Sequence, residues 1–140
     1  MKVITLSKVF MQNHPRAGQP TGFRDKVLNG DKIHTLRVNK NSYYKDGDVV
    51  SLREWTGMPY RSPQDVIMDG VTIGVGLVFI TRGIRLATVR YGLVSKLISI
   101  ARLAANDGLT EDDFLEWMFP GKTDGACMSI IHFTPFRYCS

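Results

Sequence analysis

The stretch Phe23-Arg24-Asp25-Lys26-Val27-Leu28-Asn29-Gly30-Asp31-Lys32-Ile33-His34-Thr35-Leu36-Arg37 decides how the chain is read. Phe23 and Val27 stand four residues apart and share one face of a short helix that Thr21 is placed to cap. Gly30 ends that helix, because glycine takes the left-handed conformation after a last turn at little cost. Residues 33–38 then resume as a strand, so Lys32 and Thr35 project from a turn-to-strand junction at the end of a sheet. An amine and a hydroxyl three residues apart at such a junction can contact one small polar ligand together. Burial lowers the pKa of a lysine and makes it a usable base, and Arg37 can fork onto phosphate or carboxylate. The plainer reading leaves Lys32 solvated, Thr35 filling a strand position and Arg37 in an internal ion pair.

Working outward, residues 2–8 form a β-rich first strand, and residues 11–19, with Pro15 and Gly18, form a loop. Residues 39–47 make a polar loop holding Tyr43 and Tyr44. In residues 48–55, Val50, Leu52 and Glu54 alternate with Val49, Ser51, Arg53 and Trp55, the period of a strand. Residues 56–64, broken by Gly57, Pro59 and Pro63, are irregular. Asp69-Gly70 predicts a tight hairpin joining strands at 66–68 and 71–80, and Arg82-Gly83 a turn before a strand at 84–90. Ser99 and Thr110 are placed as helix caps, Thr110-Glu111-Asp112-Asp113 approximates a capping box, and Pro120-Gly121 stops the second of these helices. Residues 127–133 make a closing strand. Five to seven strands and three short helices, without a repeated βαβ unit, imply an α+β fold on a curved, largely antiparallel sheet. A small closed or nearly closed barrel is the arrangement that removes sheet edges.

At 140 residues and 44% hydrophobic composition the chain suits a single domain spanning residues 1–140. The longest apolar stretch, residues 71–80, is half the roughly 20 residues a membrane helix needs. Lys8 interrupts the opening apolar run, so no secretory core is expected, and the expected compartment is the cytoplasm. Cys127, His132 and Cys139 lack the paired close spacing of a zinc knuckle, so neither a metal nor another cofactor is expected. Charge is unevenly laid out. No acid lies between Asp69 and Asp107, whereas residues 2–61 carry 11 basic against 5 acidic side chains. With a pI near 9.4, such a field draws phosphate by counterion release.

A second cluster, Arg53-Glu54-Trp55-Thr56-Gly57-Met58-Pro59-Tyr60-Arg61, mixes aromatics and arginines on a proline-bent loop. That mixture supplies stacking faces and phosphate forks for unstacked nucleotides. Alternatively, Trp55 and Tyr60 simply cover the end of the core. His34 and His132 read as hydrogen-bonded packing residues rather than catalysts.

The segment Gly30-Asp31-Lys32-Ile33-His34-Thr35-Leu36-Arg37, followed by Gly47-Asp48-Val49, resembles the ASCH domains of the PUA-like superfamily. Their mark is a helix ending in Gly-x-Lys-x-x-Thr-hydrophobic-Arg, with Gly-Asp-hydrophobic some ten residues on. The resemblance implies a PUA-like barrel and association with RNA, often with modified bases, in a basic cleft that Lys32, Thr35, Arg37, Arg53, Trp55, Tyr60 and Arg61 would line. It also implies an alternative, since some bacterial ASCH proteins are amidohydrolases that remove the acetyl group of N4-acetylcytidine. Lys32 would then be the activating base and Thr35 the nucleophile. The glutamate expected of that group falls on Ala105 or Asn106, and Asp107 is the carboxylate close by. A carboxylate within hydrogen-bond reach of Lys32, in a pocket sized for one base, would favour the enzyme; an open basic trough would favour the binder.

Overall fold

The computed structural model describes residues 1–81, 83–119 and 125–139. Its elements run β1 (Lys2–Leu6), α1 (Phe23–Asn29), β2 (His34–Arg37), β3 (Val49–Trp55), β4 (Gln64–Thr72), β5 (Gly74–Thr81), β6 (Leu86–Tyr91), β7 (Val94–Ser99), α2 (Ile100–Asn106), α3 (Glu111–Met118) and β8 (Gly125–His132). The fold is α+β with mostly antiparallel strands. The described residues form two hydrogen-bonded sheets, one ordered β1-β3-β4 and the other β2-β8-β5-β6-β7. No ladder among the described residues joins them into a closed ring. Among the described residues only β1 and β3 run parallel.

Strand periodicity places the core. Val50, Leu52 and Glu54 face inward from β3, as their alternation requires, and Gly74, Gly76, Val78 and Ile80 do the same from β5. Ser129 to His132 of β8 are buried on both faces, and His34, Thr35 and Leu36 of β2 opposite them are buried too. Adjacent Ile130 and Ile131 are both fully buried, each contributing about 2–3 kcal/mol of apolar burial. Polar groups at this end of the sheet are therefore out of water and must find partners within the protein.

Three of the predicted helix boundaries, at Gly30, Ser99 and Thr110, are where the sequence placed them. Gly30 follows α1 at φ 80°, and the Ser99 and Thr110 hydroxyls accept the Arg102 and Asp113 backbone N–H groups as caps. Thr21 is one residue too early to cap α1, since Gly22 occupies the capping position. Its hydroxyl donates to the Ser7 carbonyl at 2.8 Å and accepts the Phe23 N–H at 3.3 Å, tying the helix start to the end of β1. Arg82 and the Pro120-Gly121 stop lie outside the described residues.

The expected hairpin at Asp69-Gly70 is corrected by the structure. β4 runs straight through it, with Val71 opposite Val50 and Met68 opposite Leu52. Ser51 thus faces two residues, Asp69 and Gly70, in a β-bulge where Gly70 takes φ 68°. The Ser51 hydroxyl donates to the Asp69 carboxylate across it. Asp-Gly encodes a positive φ, and the continuous partner strand β3 turns that into a bulge instead of a reversal. The chain changes sheets at Ile73 instead, and β7 is a strand that its sequence pattern did not announce. A Cβ on Gly70 would meet no atom within 4 Å, so replacement costs only backbone strain. Gly70→Ala is expected to lower unfolding free energy by about 1–2 kcal/mol, read as a lower urea midpoint with unchanged slope.

Candidate functional site

The site begins where the chain leaves α1. The Ile33 backbone N–H donates to the Asn106 carbonyl at 2.9 Å, and residues 32 and 107 form an isolated antiparallel bridge. Lys26 Nζ donates to the Gly108 carbonyl at 2.7 Å. These bonds fasten the segment after α1 to the turn between α2 and α3. The approach is close: a Cβ on Gly108, already at φ 79°, would lie 3.1 Å from the Lys32 Cβ. The turn therefore needs glycine next to Asp107.

This zipper delivers Lys32 to Asp107. Lys32 Nζ donates to the Asp107 backbone carbonyl at 2.8 Å and to its Oδ1 at 3.2 Å, and sits 4.2 Å over the centre of the Phe23 ring. The side chains are 2% and 4% exposed, so the pair lies out of water where loss of one partner would strand the other. Burial pushes the Lys32 ammonium below its ordinary range, while the charge and hydrogen bond of Asp107 pull it back up.

Behind the pair, polar contacts continue inward. Asp107 Oδ1 also meets His34 Nδ1 at 3.1 Å, and His34 Nε2 meets the Tyr138 hydroxyl at 2.7 Å. Burial holds the His34 pKa below its usual value, so the ring is neutral. The consistent assignment has Nδ1–H donating to the carboxylate and Nε2 accepting the Tyr138 proton. Asn106 Nδ2 donates to the same hydroxyl at 3.0 Å, leaving Tyr138 satisfied as donor and acceptor. His132 faces His34 in the β2–β8 register and meets the Tyr91 hydroxyl at 2.6 Å, with its Nδ1 buried and unpartnered.

In front of the pair lies a cavity of about 740 Å³, within the usual range for ligand pockets. Lys32, Thr35, Arg37 and Asp107 line it, and Trp55 and Tyr60 stand on its wall with ring centres 5.2 Å apart. Thr35 and Arg37 share one face of β2, two residues apart, which is why both reach the same space. The Thr35 hydroxyl has no hydrogen-bond partner among the described residues. Arg37 Nη2 donates to the Thr5 carbonyl.

Two residues singled out in the sequence lie elsewhere. Arg53 is not on the cavity wall; its Nε donates to the Ser51 hydroxyl at 2.9 Å, beside the bulge. Arg61 is exposed on the 56–63 loop and is likewise off the wall. Asp107, chosen only for its proximity in sequence, is the carboxylate that reaches Lys32. The contributions of Asn106, Tyr138 and Tyr91 were missed. No local spacing signals them, because they are brought together from α2, the C-terminal segment and β6. Compared with protein-family models, curated proteins and solved structures, the chain gives no match.

His132 gives this region a pH signature. Burial pushes its pKa from the ordinary 6.5 down to about 3. The folded state thus refuses a proton that the unfolded chain accepts, and stability rises with pH across the window from 3 to 6.5. Chemical unfolding at pH 5 is expected to show about 2 kcal/mol less stability than at pH 7 from this group alone. His132→Phe should flatten that slope, because it removes the imidazole whose folded-state pKa is lowered.

Proposed function

We propose that the chain is an ASCH-type, PUA-like domain that takes one modified nucleobase into this cavity and hydrolyses an N-acyl group from it, as in N4-acetylcytidine. The observation that carries the reading is the Asp107 carboxylate at 3.2 Å from the Lys32 amine on the wall of a nucleoside-sized recess. A buried lysine with a lowered pKa gives up its proton more readily than a solvated one. An unbonded threonine hydroxyl on the same wall is a nucleophile awaiting a base. Trp55 and Tyr60 supply aromatic surface for the base.

In the proposed reaction the Thr35 hydroxyl oxygen attacks the acyl carbon and its proton passes to the neutral Lys32 amine. As the tetrahedral adduct collapses, the carbon–nitrogen bond breaks and that proton goes to the departing exocyclic nitrogen. Water then cleaves the acyl-threonine ester, releasing the carboxylic acid and restoring the hydroxyl. Asp107 holds the amine in place and, through its charge, sets how readily it is deprotonated. His34 fixes the carboxylate from behind.

A second reading, binding of RNA or a modified nucleotide without turnover, is favoured by one observation. Lys32 directs two hydrogen bonds to Asp107, an arrangement that also suits a permanently charged structural ammonium.

Incubation with N4-acetylcytidine separates the two readings: release of cytidine and acetate is expected, and tight binding without release supports the second. Thr35→Ala, which removes a hydroxyl without stranding a partner, should reduce turnover by roughly a hundredfold or more while the substrate still binds. Turnover unchanged by Thr35→Ala would overturn the assignment of the nucleophile. The rate should rise with pH as Lys32 loses its proton, with a midpoint below the ordinary 10.5. Asp107→Asn should move that limb to lower pH, because the carboxylate is what raises the lysine pKa.

A further inference from the structure

We propose that Arg37 is a phosphate-binding residue of the cavity, so that the ligand is a nucleotide rather than an uncharged nucleoside. This rests on the reading of the cavity as a nucleobase pocket. Three other arginines have carboxylate partners. Arg16 pairs with Asp113 at 2.5 Å, Arg85 with Glu111 at 2.8 Å, and Arg24 approaches Glu54 at 3.7 Å; all three arginines are more than 40% exposed. Arg37 is half-buried, yet among the described residues no carboxylate stands within ion-pairing distance of it. Its Nε is buried without a partner.

A half-buried guanidinium whose Nε is out of water, with no counter-charge beside it, costs free energy that an anionic ligand in the cavity would offset. The cavity offers no internal remedy. Asp107, the one carboxylate on its wall among the described residues, is already held by Lys32 and His34. With Lys32 protonated, Lys32 and Arg37 against Asp107 leave the recess with an excess of positive charge, and with Lys32 neutral Arg37 is its remaining cation. Arg37 is also preorganised. The Thr5 carbonyl fixes one terminal nitrogen, and β2 points the side chain along the face that carries Thr35. A planar, fixed guanidinium suits phosphate better than a mobile ammonium does. A nucleotide that places its base by Trp55 and Tyr60 has a phosphate to offer; a nucleoside has none.

The test is calorimetric titration of the wild-type chain with cytidine, cytidine 5′-monophosphate and a short cytidine-containing single-stranded RNA. The expected result is at least about tenfold tighter binding of the monophosphate than of cytidine, the advantage shrinking as salt is raised. Arg37→Gln should abolish the advantage, with its thermal unfolding followed as a check on folding; the wild-type comparison stands without it. A gain seen with the RNA but not with the mononucleotide also supports the inference and assigns the phosphate to an internucleotide linkage. Equal affinity for cytidine and both phosphorylated probes overturns the inference but leaves the nucleobase reading in place. Binding of none of the three overturns both, unless N4-acetylcytidine is hydrolysed, in which case the phosphate proposal alone falls.

Discussion

The contact on which the rest depends is that between Lys32 and Asp107, two charged side chains withdrawn from water and 75 residues apart in sequence. It closes the structure at the point where α1, β2 and the turn between α2 and α3 meet. Neither charge is tolerable there alone. The surrounding backbone bonds, from Ile33 to Asn106 and from Lys26 to Gly108, hold the two segments in the one register that lets the pair form. A buried ion pair is a poor source of stability compared with apolar packing. The pair stands at the wall of a cavity and fixes the position of the amine there.

The polar groups behind the pair extend the same logic. A carboxylate that receives both a lysine and a histidine is fixed in orientation. The histidine is in turn fixed by Tyr138, and Tyr138 by Asn106. Burial disfavours charge on His34, which suits a neutral ring that donates to the carboxylate and accepts from the Tyr138 hydroxyl. The amine itself is bonded twice to Asp107 and lies over the aromatic ring of Phe23, and both residues belong to the cavity wall.

Much of this was legible in the sequence, for identifiable reasons. Gly30 announced the end of α1, and with it the delivery of Lys32, Thr35 and Arg37 to one place, because few residues other than glycine accept that conformation cheaply. Ser99 and Thr110 announced their helices because a capping hydroxyl acts within a few residues of itself. Signals failed where the outcome depended on a distant strand. Asp69-Gly70 has the local chemistry of a hairpin and became a bulge because β3 lies alongside it. Arg53 and Arg61 belong to the aromatic-basic segment that supplies Trp55 and Tyr60, yet Arg53 is taken up by Ser51 and Arg61 stays in solvent. The partner of Lys32 was one residue beyond the positions where a glutamate was expected, and only the bridge between residues 32 and 107 brings the shorter aspartate within reach.

The most direct measurement of the central claim is a titration of the lysine side chains by NMR, following the chemical shifts beside each Nζ from neutral to strongly alkaline pH. One lysine, assigned to residue 32 by its disappearance in Lys32→Met, should titrate below the ordinary value of 10.5 and shift further down in Asp107→Asn. A Lys32 resonance that titrates with the solvent-exposed lysines, unmoved by loss of the Asp107 charge, would contradict the account.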